Sequence, residues 1–222
     1  MKLVNIKILS FVAFLCIGLT VTAQKGDRQY NPWSIEVQTG YHIPVAPSDE
    51  VKLGDYDGAF KQFKGGIRYM FSDTYGIKAH YGFLKFETPD GNGGADYSLV
   101  GIDGYANLWK VANIKGDFRK NFGLLFHMGF GVTFSKPSGG FGGTDHIGNL
   151  SAGLTPQFKI SKNFAVFADV AYIAQLKQHY AYNGDLLDPN YEHKTGGLFN
   201  ASIGLTFSFG NRENHADWYY ED

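Results

Sequence analysis

The run Phe199-Asn200-Ala201-Ser202-Ile203-Gly204-Leu205-Thr206-Phe207-Ser208-Phe209 constrains this chain more than any other stretch. Every odd-numbered residue in it is apolar, and every even-numbered one is small or polar. Side chains along a β-strand alternate between faces, so the run reads as a strand with one wholly apolar face. A helix repeats every 3.6 residues and would scatter the same side chains around its circumference. Two settings suit such a strand: a protein core with water opposite, or lipid with a polar interior opposite.

Seven earlier stretches repeat the pattern, at 34–45, 62–71, 75–87, 97–109, 122–134, 150–160 and 164–176. The fifth is the most regular: Phe122, Leu124, Phe126, Met128, Phe130, Val132 and Phe134 alternate with Gly123, Leu125, His127, Gly129, Gly131 and Thr133. The seventh is mixed, with Val166, Val170 and Tyr172 opposite Asp169 and Gln175. With 29 Gly, 16% aromatic residues and no long helical stripe, the chain reads as all-β. Its connections alternate in length. Ser72-Asp73-Thr74 and Ser161-Lys162-Asn163 are tight, and 110–120 is somewhat longer. Those around 47–59, 88–96, 135–148 and 177–195 are long and rich in Gly, Asp, Asn and Pro. Short turns at one rim and long loops at the other are the build of a transmembrane barrel.

A soluble eight-stranded barrel would turn the apolar face inward and leave Lys64, Arg68, Lys78, Asp103, Lys159 and Asp169 in water. Two features favour the opposite orientation. The polar face also carries Gly40, Gly66, Gly82, Gly101, Gly123, Gly129, Gly131, Gly153 and Gly204, which suits a crowded narrow lumen. Aromatic residues gather near strand ends (Trp33, Tyr41, Tyr69, Phe71, Tyr75, Tyr81, Phe122, Phe134, Phe164, Tyr172, Phe207 and Phe209), where interfacial girdles belong. The expected fold is an eight-stranded antiparallel transmembrane up-and-down β-barrel over residues 33–210. A lead-in at 24–32 precedes it and a short periplasmic tail at 211–222 follows.

Before the lead-in, Lys2 and Lys7 are followed by an apolar run from Ile8 to Val21 and the small-residue exit Val21-Thr22-Ala23. This reads as a cleaved signal peptide over 1–23, since the run is shorter than the roughly 20 residues a spanning helix needs. Leu15 before Cys16 argues against a lipoprotein signal. Loss of Lys2 and Lys7 takes the formal charge from −1 to −3, which gives no reason to expect nucleic acid. Cys16, the one cysteine, leaves with the signal, so no disulfide or thiolate metal site is expected.

The closing segment, Ser202 and Gly204 followed by Phe207 and Phe209, resembles the assembly signal that ends bacterial outer-membrane barrels. With Phe118-Arg119-Lys120-Asn121-Phe122-Gly123 and Asn214-His215-Ala216-Asp217-Trp218, it makes residues 30–215 resemble the N-terminal barrel domain of OmpA-like outer-membrane proteins of the Bacteroidetes type. Members of that family often continue into a peptidoglycan-binding domain. The sequence ends at Asp222, so none of that domain's residues carries over; a barrel-only and a truncated member both fit. The resemblance implies an outer-membrane location, with lipid, lipopolysaccharide and the barrel assembly machinery as partners and other envelope proteins reached through the loops.

Charged residues facing a narrow lumen must pair. Glu36, Arg68 and Lys78 are expected at similar depth on the first three strands, and Lys159 and Asp169 on the sixth and seventh at different heights. With Lys64 and Asp103 they are read as a polar network filling the lumen. His42, His80 and His127 lie at different heights, which speaks against a shared metal. Asp145 and His146, with Ser135, Ser138 and Thr144, read as a solvated loop, and the glycine run 138–143 as flexible and no phosphate cradle. No G-x-S-x-G motif appears. The expected protein is non-catalytic and cofactor-free, with a structural or partner-docking role. A narrow channel is the alternative, and a lipid-modifying enzyme the third.

Overall fold

The computed structural model describes residues 28–46, 61–88, 90–138 and 143–220. The signal peptide expected over 1–23, the loop over 47–59 and the centre of the 138–143 glycine run lie outside the described residues. Eight strands run β1 (Trp33–Ala46), β2 (Gln62–Met70), β3 (Tyr75–Glu87), β4 (Gly94–Asn107), β5 (Phe122–Pro137), β6 (Asp145–Lys159), β7 (Phe164–Gln178) and β8 (Lys194–Phe209). Each is antiparallel to the next, and β8 closes on β1 from Trp33↔Phe209 to Pro44↔Leu198. Closure leaves no sheet edge, which is what allows strands to cross lipid.

Both tight turns use the same local chemistry. The Ser72 hydroxyl accepts from the N–H groups of Thr74 and Tyr75, at 3.2 and 2.8 Å. Ser161 does the same for Asn163 and Phe164, at 3.3 and 3.2 Å. A serine side chain standing in for a backbone acceptor is a compact way to reverse a chain. The third connection at this rim holds a one-turn helix, α1 (Leu108–Val111), whose Trp109 N–H is accepted by the Asn107 side chain, then a 3-10 turn at Asp117–Lys120. Short connections mark this as the periplasmic end.

The exterior is an apolar belt. On β5 the outward residues Phe122, Met128, Phe130, Val132 and Phe134 are exposed, and on β8 Phe199, Ile203, Leu205, Phe207 and Phe209 are exposed. From Phe122 to Phe134 is twelve steps of about 3.3 Å, which at a tilt near 40° rise about 30 Å. That spans a bilayer's hydrocarbon layer. The fold is a transmembrane barrel, and barrels of this build belong to the bacterial outer membrane.

Several strands run further outward than their alternation predicts. β6 starts at Asp145 and β8 at Lys194, against expected starts of 150 and 199, and β5 continues to Pro137. The reason is a swap of polarity while pairing continues, with register shifts between Pro44 and Ala46 and between Gln175 and Gln178. On β3 the outward side chains are apolar through Phe83, and then become Lys85 and Glu87. The inward ones turn from Lys78 and His80 to Leu84 and Phe86, both buried. Asp96 on β4 pairs with Lys85 and Lys136 in the same outward row. Beyond that row the barrel stands in water, so its interior becomes the apolar side.

Candidate functional site

Outside the belt, the concentrated chemistry is the lumen, and it is filled in three layers. The middle layer is ionic. Arg68 is fully buried, and its Nε lies 2.8 Å from Glu36 Oε1. Lys78 donates to Glu36 Oε2 at 3.0 Å. The ring of Tyr105 lies beneath both cations, 5.4 Å from the Arg68 guanidinium and 4.8 Å from the Lys78 ammonium. Further up, His80 Nδ1 is 3.0 Å from Asp103 Oδ2, and the Ser151 hydroxyl donates to Asp103 Oδ1 at 3.0 Å. Opposite, His127 Nε2 lies 2.8 Å from Asp169 Oδ2, which also accepts from Thr155 at 2.7 Å. Lys64 is buried within electrostatic reach of Asp103, Asp169 and Glu36.

Glycines on the inward face make these pairs possible. A Cβ on Gly101 would stand 2.6 Å from His80 Nε2, and one on Gly153 2.5 Å from His127 Nε2. The lumen is too narrow for a side chain and an imidazole at one height. Lys159 stands apart from the rest: it sits near the periplasmic mouth, half-buried, and donates to Asn214 Oδ1 at 2.7 Å. It makes no ion pair with Asp169, because the two lie too far apart along their strands.

The inner layer comes from the segment expected as a plain tail. After β8 the chain turns at Gly210, pairs Asn31 with His215, and folds back under the barrel, burying His215, Ala216, Asp217 and Trp218. Asp217 accepts a two-pronged contact from Arg68, Nη1 to Oδ1 at 3.1 Å and Nη2 to Oδ2 at 2.7 Å. The Asn107 amide donates to Asp217 O at 3.2 Å and Lys110 Nζ to Ala216 O at 2.9 Å. Tyr220 lies under Lys110 and Arg119. Burial alone raises the Asp217 carboxyl, but the Arg68 and His215 contacts outweigh it and hold the group well below the usual carboxylate range.

The outer layer is apolar. Leu84, Phe86, Tyr97, Ile147, Ile173 and Leu198 close around Tyr182, which descends from the connection between β7 and β8. The Tyr182 hydroxyl donates to Gln175 Oε1 at 2.7 Å, so its buried oxygen is satisfied. His42 packs edge-on against Phe86, 4.4 Å between centroids. Asp145, expected in a loop, opens β6 and accepts from the His179 backbone N–H at 2.7 Å, pinning the same connection.

Neither His80 nor His127 is arranged for nucleophilic catalysis. In a catalytic triad the hydroxyl bonds the imidazole, which in turn bonds the acid. Here Ser151 donates to Asp103 while His80 Nδ1 lies 3.0 Å from the other oxygen of that carboxylate, and Thr155 and His127 both bond Asp169. Among the described residues, no group of three or more His, Cys, Asp or Glu side chains converges on a metal-sized point. The space enclosed beside Lys64, His80 and Asn149 is about 10 Å³, room for about one water.

No protein-family profile matches the chain, and no curated protein matches it. Solved structures do. Neisserial surface protein A shares 10% identity at a TM-score of 0.51, covering 80% of this chain and 97% of its own. The N-terminal barrel domain of Pseudomonas aeruginosa OprF shares 15% at 0.41, covering 82% and 100%. Ail, the attachment invasion locus protein of Yersinia pestis, shares 16% at 0.46, covering 81% and 99%. At these identities the likeness is one of fold.

Proposed function

We propose that this protein is a sealed outer-membrane scaffold, which neither conducts nor catalyses and holds its outer rim and long connections at the cell surface for partners to dock on. The observation that carries the reading is the filling of the lumen by the described residues. Tail, ion network and apolar cap follow one another from the periplasmic to the outer mouth. Opening a path would strand Arg68, Glu36 and Asp217 without partners in a low-dielectric tube, at a cost of several kcal/mol. The outer rim offers charged side chains such as Lys85, Asp96 and Lys136 on rigid strand ends. Lipopolysaccharide and other envelope proteins are the partners this surface suits, and the β8 segment from Ser202 to Phe209 is the proposed handle for the barrel assembly machinery.

Planar-bilayer recording tests the reading. Purified wild-type protein should insert without discrete conductance steps. A variant truncated before Asn214, which also releases Arg68 from Asp217, should show small ion-selective steps. Steady wild-type conductance would return the barrel to the channel class.

A further inference from the structure

We infer that the connection between β4 and β5, residues 108–121, is a membrane-interface anchor whose aromatic side lies in the headgroup–acyl boundary of the periplasmic phospholipid leaflet. The stretch has two sides of opposite chemistry. On one side Trp109 and Phe118 meet edge to face, 5.5 Å between centroids, and Trp109 reaches Phe122 at 6.0 Å. Phe122 is the first residue of β5 and is exposed in the lipid-facing belt. The aromatic pair therefore continues the belt past the periplasmic end of the strand. Phe118, Val111 and Ile114 are exposed as well. The Ile114 N–H donates to Trp109 O at 2.8 Å, which folds the chain back toward that residue. An exposed apolar cluster of this kind is unfavourable in water and marks a surface that something covers.

On the other side, cations fix the orientation. The Lys110 side chain is only 7% exposed, and its Nζ donates to Asp73 O and to Ala216 O, each at 2.9 Å. Arg119 lies 4.2 Å over the Tyr220 ring, and its Nε donates to Gly116 O at 3.1 Å. Lys110 and Arg119 directly follow Trp109 and Phe118 in the chain. Holding the two cations against the tail keeps their aromatic neighbours on the barrel's outer side. The indole N–H of Trp109 donates to Phe122 O at 3.0 Å. With that bond made, the ring can leave water without an unpaired donor. Lys115 and Asp117 are exposed, and the Asp117 carboxylate meets Lys120 Nζ at 2.9 Å. Aromatics on one side and charges on the other are what a segment lying in the interface requires. Continuity with the belt selects lipid over a protein partner, because a protein seated on Phe118 and Trp109 would also have to displace the acyl chains against Phe122.

The test is spin labelling of the full chain, carrying Cys16→Ser, in vesicles of phosphatidylethanolamine and phosphatidylglycerol, with heat-modifiable mobility as the check on folding. A nitroxide at Ile114→Cys or Phe118→Cys should collide with dissolved oxygen in preference to a water-soluble nickel chelate, as one at Phe130→Cys in the belt does. One at Lys162→Cys, in an exposed turn at the same rim, should show the reverse preference. Where a label disturbs the cluster, Trp109 emission in a Trp33→Phe/Trp218→Phe variant reads the unaltered surface. Phosphatidylcholine brominated near the carbonyl should quench it, and aqueous iodide should quench it much less than free tryptophan. Labels at 114 and 118 that behave like the one at 162, or iodide quenching as strong as that by lipid bromine, would make the connection a water-exposed loop and overturn the anchor. Protection from every reagent would overturn it too, because a protein, a second copy of the chain included, would then cover the cluster.

Discussion

Arg68 is the residue on which the interior converges, because its three nitrogens meet carboxylates from two different parts of the chain. Arg68→Met leaves Glu36 and Asp217 buried with less compensation, and should cost about 3–5 kcal/mol. Glu36→Gln should also destabilise, and the double variant should recover part of the loss, read as unfolding midpoints in urea. Strict additivity would show that the 2.8 Å contact carries no coupling energy. Alternation alone puts Glu36, Lys64, Arg68, Lys78, Asp103 and Asp169 on one face. Their partners are less legible. His127 and Asp169 meet across the lumen from β5 and β7, and no local spacing encodes a contact between strands that are not neighbours. The glycines opposite the histidines were the available signal, since a missing side chain on a crowded face marks where a larger one must fit.

At the scale of elements, the eight strands follow from period-two patterning and the rims from loop length. The folded-back tail does not, because Asn214 to Trp218 alternates with nothing and its role depends on a guanidinium far earlier in the chain. Its docking should depend on acid in a definite direction. Asp217 is held below its unfolded value, so its contribution is present above the ordinary carboxylate range and is lost as pH falls beneath it. With Trp33→Phe and Trp109→Phe as background, Trp218 emission should stay constant from neutral pH to about 4 and shift red only in stronger acid. Asp217→Asn should weaken docking even at neutral pH. A transition already complete at neutral pH would show that the Asp217 carboxylate does not govern docking.

For the molecule as a whole, the orientation is testable directly. A cysteine replacing Asn92 or Asp185 should react with an impermeant thiol reagent on intact cells, and one replacing Asp73 or Asn163 should not; the reverse result would turn the barrel over. The polarity swap along the strands has a consequence for how the protein floats. Phe83 and Phe134 are the last outward apolar residues on their strands, and Lys85 and Lys136 the first charged ones. That ring works as a waterline. Rising by one residue pair would wet the aromatics, at about 1.5–3 kcal/mol for each one fully exposed. Sinking by as much would press the lysines toward hydrocarbon, at up to about 1 kcal/mol each near the interface and more with depth. The barrel thus has a fixed draught, and a bilayer of different thickness must bend to meet it.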